Sequence, residues 1–96
     1  MEMLVSVREI KGHCPVYEVG DSFRLLDGFR LVAEKPLCMH SLACVMPFYN
    51  ALRFVSPTVF GMAARDDQSK GCFQCPDAVS CTDGGTVIFE VTRVGP

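Results

Sequence analysis

The sequence predicts an α+β fold, an antiparallel β-sheet with hairpins packed on one Pro-kinked helix. Three observations carry that expectation. Period-2 apolar stretches stand at both ends of the chain, a long apolar helical stretch occupies the middle, and short turns of Gly, Asp and Pro join the strands. At 96 residues and 10.6 kDa, residues 1–96 form a single domain with no room for a second core.

In chain order, Met3, Val5 and Val7 alternate with Leu4, Ser6 and Arg8, the pattern of a half-buried strand. Lys11-Gly12-His13-Cys14-Pro15 ends it, since Gly and Pro both interrupt a ladder. Ser22–Leu26 and Phe29–Ala33 flank Asp27-Gly28, a strong signal for a type I′ hairpin turn because both central residues need positive φ. Glu34-Lys35-Pro36 opens a helix that runs from Leu37 to about Val55, with Pro36 near its first position. Pro47 lies inside it and is expected to kink it near residues 43–47, having no N–H to give. Ser56-Pro57 stops the helix, and Thr58–Ala63 reads as a weak strand. Arg65–Gly71 reads as a polar loop with Asp66 and Asp67 solvated, and Cys72–Gly85 as a second loop. Thr86–Arg93 is the clearest strand, with Val87, Phe89 and Val91 on one face. Paired antiparallel, the first and last strands bring Ile10 beside Thr86.

Composition narrows the function. An apolar fraction of 49% against 21% charged residues excludes a disordered chain. A net charge of −2 and a pI near 5.5 argue against nucleic-acid binding, which needs clustered basic surface. No run approaches the roughly 18 apolar residues of a membrane span. Glu2 and Arg8 break up the N-terminal apolar stretch, so it reads as a mature strand rather than a secretory signal, and a cytoplasmic protein is expected. No Ser/His/Asp or Cys/His/Asn set, phosphate-cradling loop or carboxylate pair supplies a catalytic constellation.

The chemistry must come from six cysteines: Cys14, Cys38, Cys44, Cys72, Cys75 and Cys81. Cytosolic thiols stay reduced, which favours metal ligation or redox work over a disulfide framework. Only Cys72-x2-Cys75 forms a C-x2-C pair, so a zinc ribbon is excluded. Its loop context lacks the strand-to-helix setting of a thioredoxin site. The strand pairing places Cys14 at the same end of the sheet as the 72–81 loop, and Cys38 falls at the helix start, where the positive dipole end favours a thiolate. Cys14, Cys38, Cys72 and Cys75 are therefore the expected metal ligands. Four cysteines suit zinc, as do three with His13. They also suit an iron–sulfur cluster, for which the Cys14-Pro15 and Cys75-Pro76 steps and the apolar neighbours Leu37, Met39 and Phe73 weigh. Cys44 and Cys81 read as apolar filler. His40 and Cys44 share a helix face at i,i+4, the spacing of a second small site.

Lys11, Gly12 and Cys14, then Gly20, Asp21 and Phe23, then Cys38, Pro47, Leu52, Arg53 and Phe54, then Cys75, Pro76 and Asp77, and finally Arg93 carry a resemblance. Over nearly its whole length the chain resembles a small, functionally uncharacterised three-cysteine family of bacterial and archaeal proteins, frequent in anaerobes. The resemblance implies that Cys14, Cys38 and Cys75 form the core ligand set, with Cys72 as the fourth ligand. The sequence departs from the family after Cys14, where Val16-Tyr17-Glu18 replace a Gly-His, which leaves His13 as the nearby histidine.

The resulting expectation is a cytoplasmic, Cys-ligated metal protein, iron–sulfur ahead of zinc, acting as an electron carrier or accessory subunit. The rivals are a structural zinc module that binds a protein partner and a metal-free thiol redox protein using Cys72 and Cys75. Leu37, Met39, Phe48, Tyr49, Leu52 and Phe54 point several ways around the helix. That spread predicts either a homodimer or contact with a redox partner protein.

Overall fold

The computed structural model describes residues 2–94 and has the expected α+β architecture. Strands β1 (Glu2–Gly12), β2 (Ser22–Leu26), β3 (Arg30–Val32), β4 (Gly71–Gln74) and β5 (Gly85–Val94) form one antiparallel sheet in the order β3-β2-β1-β5-β4. Helix α1 (Met39–Leu52) contributes Val45 and Leu52 to a core shared with Met3, Val5, Phe23, Phe73 and Phe89.

The two longest strands, β1 and β5, pair centrally from Glu2↔Val94 to Gly12↔Gly85, so Ile10 lies opposite Val87 as the alternation predicts. One irregularity matters for the site. The register shifts between Val7 and Glu9, leaving Arg8 as an extra residue. Met3, Val5 and Val7 face the core, and after the bulge Ile10 rather than Glu9 packs against it. The opposite face carries a charged cluster. There Arg8 pairs with Glu90 at 3.0 Å and with Asp66 at 3.1 Å, while Lys70 reaches Glu90 at 3.5 Å.

The hairpin turn is as expected: Asp27 and Gly28 both have positive φ, 58° and 84°, and Phe29 N–H closes the turn on Leu26 C=O. Four expectations need correction. Helix α1 begins at Met39 behind an N-cap at Cys38, so Pro36 precedes the helix instead of opening it. The helix ends at Leu52. Thr58–Ala63 is not a strand: Pro57–Phe60 is a 3₁₀ turn, because Ser56 Oγ accepts Thr58 N–H and Pro57 presets φ for it. The span 72–85 is not all loop. Gly71–Gln74 pairs with β5, and Val79–Thr82 forms a one-turn helix, α2.

The helix is also better covered than its composition implies. Leu52 is buried, Tyr49 Oη donates to Gly28 C=O at 2.9 Å, and Phe48 packs between Phe60 and Phe73 at centroid distances of 6.0 and 5.3 Å. Large side chains left exposed near α1 include Met39 at its start, Phe54 and Val55 beyond its end, and Phe29 of the hairpin turn.

Candidate metal centre

The site is built by three chain segments meeting at one end of the sheet. β1 and β5 meet at Gly12 and Gly85, where only glycine fits. A Cβ on Gly12 would stand 2.3 Å from Gly84 O, and one on Gly85 would stand 2.4 Å from His13 O. This close approach lays the turn after β1 directly on the segment that joins β4 to β5.

Each segment contributes a cysteine. In the first, Pro15 follows Cys14, and the chain folds back so that Val16 N–H and Tyr17 N–H donate to Cys14 Sγ at 3.4 and 3.3 Å. The second repeats the device after β4, where Pro76 follows Cys75 and Asp77 N–H donates to Cys75 Sγ at 3.4 Å. Cys75 is buried, with its thiol 3.7 Å from Gly85 C=O. Cys38 is the third, at the N-cap of a 14-residue helix. Its side chain makes no capping hydrogen bond, so the sulfur stays free beside the positive end of the helix. Backbone N–H groups aimed at sulfur suit a thiolate or a metal-bound thiolate, an acceptor that takes several donors at once.

Cys14, Cys38 and Cys75 border one cavity of about 210 Å³. One water needs only roughly 10–15 Å³, so the space is far roomier than a bare ion requires. Its walls include Val16, Val87 and Phe89, and His40 and Asp77 also line it. Among the described residues, no three His, Cys, Asp or Glu side chains converge tightly enough, as they stand, to hold a single metal ion.

A hydrogen-bonded pair that the sequence reading overlooked holds Cys38 in place. Cys38 N–H donates to Tyr17 Oη at 3.1 Å, and Ser41 Oγ donates to Cys38 C=O at 2.6 Å. That commits the one Ser41 proton, so Tyr17 O–H donates across the 2.7 Å contact to Ser41 Oγ. Tyr17 and Ser41 are both buried. The available signals were Tyr17, three residues after Cys14, and Ser41, three after Cys38; neither residue type is a ligand, so a search for ligands passes over them.

The other cysteines lie elsewhere. The structure does not bring Cys72 to the cavity. Phe73 faces the core, so strand alternation sends Cys72 to the opposite face of the sheet, where Arg8 Nη1 donates to its sulfur at 3.6 Å. The C-x2-C spacing implied a shared site only while this segment was read as loop. Cys81 is exposed on α2. His13 lines an adjoining open cleft of about 630 Å³, with Glu18 and Lys35. That cleft shares Cys14, Pro15, Val16 and Tyr17 with the cavity but lacks Cys38 and Cys75. All six cysteines are free.

Cys44 donates its S–H to Ser41 C=O at 3.1 Å and is not among the residues lining the cavity. Burial, reinforced by Cys75 and Cys38 nearby, pushes its thiol from 9.0 up to about 11. The sign of the effect on stability follows. Between pH 9 and about 11 the unfolded chain has lost this proton and the folded chain has kept it, so stability falls as pH rises through that window. In urea titrations between pH 8.5 and 10.5, wild type loses stability more steeply than Cys44→Ala. Equal slopes would place Cys44 in a solvated environment.

Compared with family models, curated proteins and solved structures, the chain matches none.

Proposed function

We propose that this chain is a small metal-binding protein that holds an iron–sulfur cluster on Cys14, Cys38 and Cys75 and works as an electron carrier or accessory subunit to a redox partner protein. One observation carries the reading: three cysteines from distant parts of the sequence border a single cavity, two of them in Cys-Pro turns whose backbone N–H groups point at the sulfur. Ligands so far apart in sequence close long loops, and in a domain this small that closure adds directly to folding stability.

A cluster supplies one-electron transfer. The chain's own residues set the conditions for it. Val16, Val87 and Phe89 keep that part of the wall apolar. The N–H groups of Val16, Tyr17 and Asp77 stabilise negative charge on sulfur, one of the levers that set a cluster's reduction potential. Six free thiols suit a reducing compartment, and we assign the protein to the cytoplasm on that ground.

Zinc is the second reading, favoured by His40 on the cavity wall, since three cysteines and a histidine form a common structural zinc set. On tetrahedral zinc, with Zn–S near 2.3 Å, the sulfurs would have to draw in to about 3.8 Å from one another. Purification of the full chain under anaerobic conditions, followed by iron, sulfide and zinc analysis, separates the two. Brown protein with matching iron and sulfide is expected. Colourless protein with one zinc per chain would replace the cluster reading by the structural one.

A further inference from the structure

We propose that His40 supplies the fourth protein ligand of the cluster held by Cys14, Cys38 and Cys75, making the centre a three-cysteine, one-histidine site. The inference rests on the cluster reading above and concerns the corner that the three cysteines leave open.

The argument is one of available donors. The remaining cysteines are placed or bonded away from the cavity: Cys72 on the far face of the sheet, Cys81 exposed on α2, and Cys44 with its S–H on Ser41 C=O. The hydroxyls of Tyr17 and Ser41 are tied to each other and to the Cys38 backbone. The Asp77 carboxylate accepts from Thr82 Oγ1 and lies against Gly84, where an added Cβ would come within 2.6 Å of Asp77 Oδ2. His40 lines the same cavity from its exposed rim and, among the described residues, has no hydrogen bond or ion pair, so its imidazole is free to turn inward. It stands two residues after Cys38 on the first turn of α1, so the element that positions the third thiol also carries the imidazole.

Imidazole is chemically suited to the corner. Histidine nitrogen replaces cysteine sulfur on iron in known cluster types, and the exchange of a neutral ligand for an anionic thiolate raises the reduction potential. The inference thus extends to the work the site does. A centre with one histidine takes up an electron more readily than its four-cysteine counterpart, so a donor too weak to reduce a four-cysteine cluster suffices for it.

The test uses the full chain labelled with ¹⁵N-histidine, reconstituted anaerobically with ferric iron, sulfide and a thiol, then reduced with dithionite and examined by pulsed electron paramagnetic resonance. A strong nitrogen hyperfine coupling that changes with the ¹⁵N label is expected. It disappears in His40→Ala and survives in His13→Ala. In His40→Cys the cluster is retained and its reduction potential falls below that of wild type. A cluster with no such coupling, or with a coupling that persists in His40→Ala, overturns the histidine ligand while leaving the three-cysteine cluster in place. A wild-type chain that takes up iron and sulfide in no fixed ratio overturns both.

Discussion

Replacing Cys14, Cys38 or Cys75 with serine is expected to abolish binding of the proposed cluster, whereas Cys72→Ser, Cys44→Ser and Cys81→Ser are expected to leave it intact. The division follows from which face of which element carries each sulfur. Three thiols border the cavity, one lies across the sheet beside Arg8, one is bonded to Ser41 C=O, and one is exposed on α2. Changes to groups that merely support a metal ligand typically cost 10–100-fold in affinity, about the least to expect here, where the ligand itself is lost. Because metal-binding energy is also folding energy in a small domain, the same three variants lose the extra thermal stability that the holoprotein gains over the metal-free chain. Iron and sulfide per chain, read beside the melting temperature with and without chelator, measure both effects. Far-ultraviolet circular dichroism of the metal-free variants distinguishes a lost ligand from a lost fold. Loss of the cluster in Cys72→Ser with retention in Cys75→Ser would sink the assignment.

Phe89→Ala destabilises the fold by about 3–5 kcal/mol, the usual cost of emptying a buried aromatic site. Phe89 is fully buried on β5, a central strand, and meets Tyr17 edge to face at a centroid distance of 5.6 Å. Small domains hold only about 5–15 kcal/mol in total, so this one change removes much of the margin. At roughly 4–8 °C per kcal/mol for a chain of this size, the melting temperature falls by more than about 10 °C. Phe54→Ala serves as the control. That ring is 72% exposed, and its main specific contact is the Arg53 guanidinium 4.9 Å from its centroid, worth about 0.5–1 kcal/mol at an exposed site. Urea unfolding at neutral pH measures the pair. A cost below 1 kcal/mol at Phe89 would mean that the core lies elsewhere.

The candidate site was partly legible in advance. Cys14 and Cys75 follow from the pairing of the first and last strands, which puts Cys14 at the same end of the sheet as the 72–81 loop. The proline after each sulfur adds a local step: the ring fixes φ and lets the next one or two amides turn back to sulfur. Cys38 stood out because a helix starts beside it. Cys72 joins that set through its C-x2-C spacing to Cys75, the reading of 72–85 as loop and the place the resemblance leaves for a fourth ligand. The two-residue gap to Cys75 has one meaning in a loop, where both sulfurs can turn the same way. It has another when a strand lies between, where an odd separation puts them on opposite faces. Tyr17, Ser41 and His40 reach the cavity only through the docking of α1 against the turn after β1, a long-range event with no periodic signature.

What the sequence determined by itself is what local physics controls. The alternation of Met3, Val5 and Val7 and of Val87, Phe89 and Val91 specified two strands and their inner faces. Asp27-Gly28 specified a hairpin turn through the need for positive φ, and the apolar middle of the chain specified the helix. Tertiary structure alone decided the rest. Gly71–Gln74 became a strand because the edge of β5 offered it hydrogen bonds, not because its own composition demands extension. A bulge at Arg8 turned Ile10 inward so that β1 could follow β5 to its end. The close approach of Gly12 and Gly85 then set the two Cys-Pro turns side by side. Strand and turn formation depend on neighbours a few residues away. A site assembled from residues 14, 38 and 75 depends on which faces meet after the sheet has closed, and that is settled by packing across the whole chain.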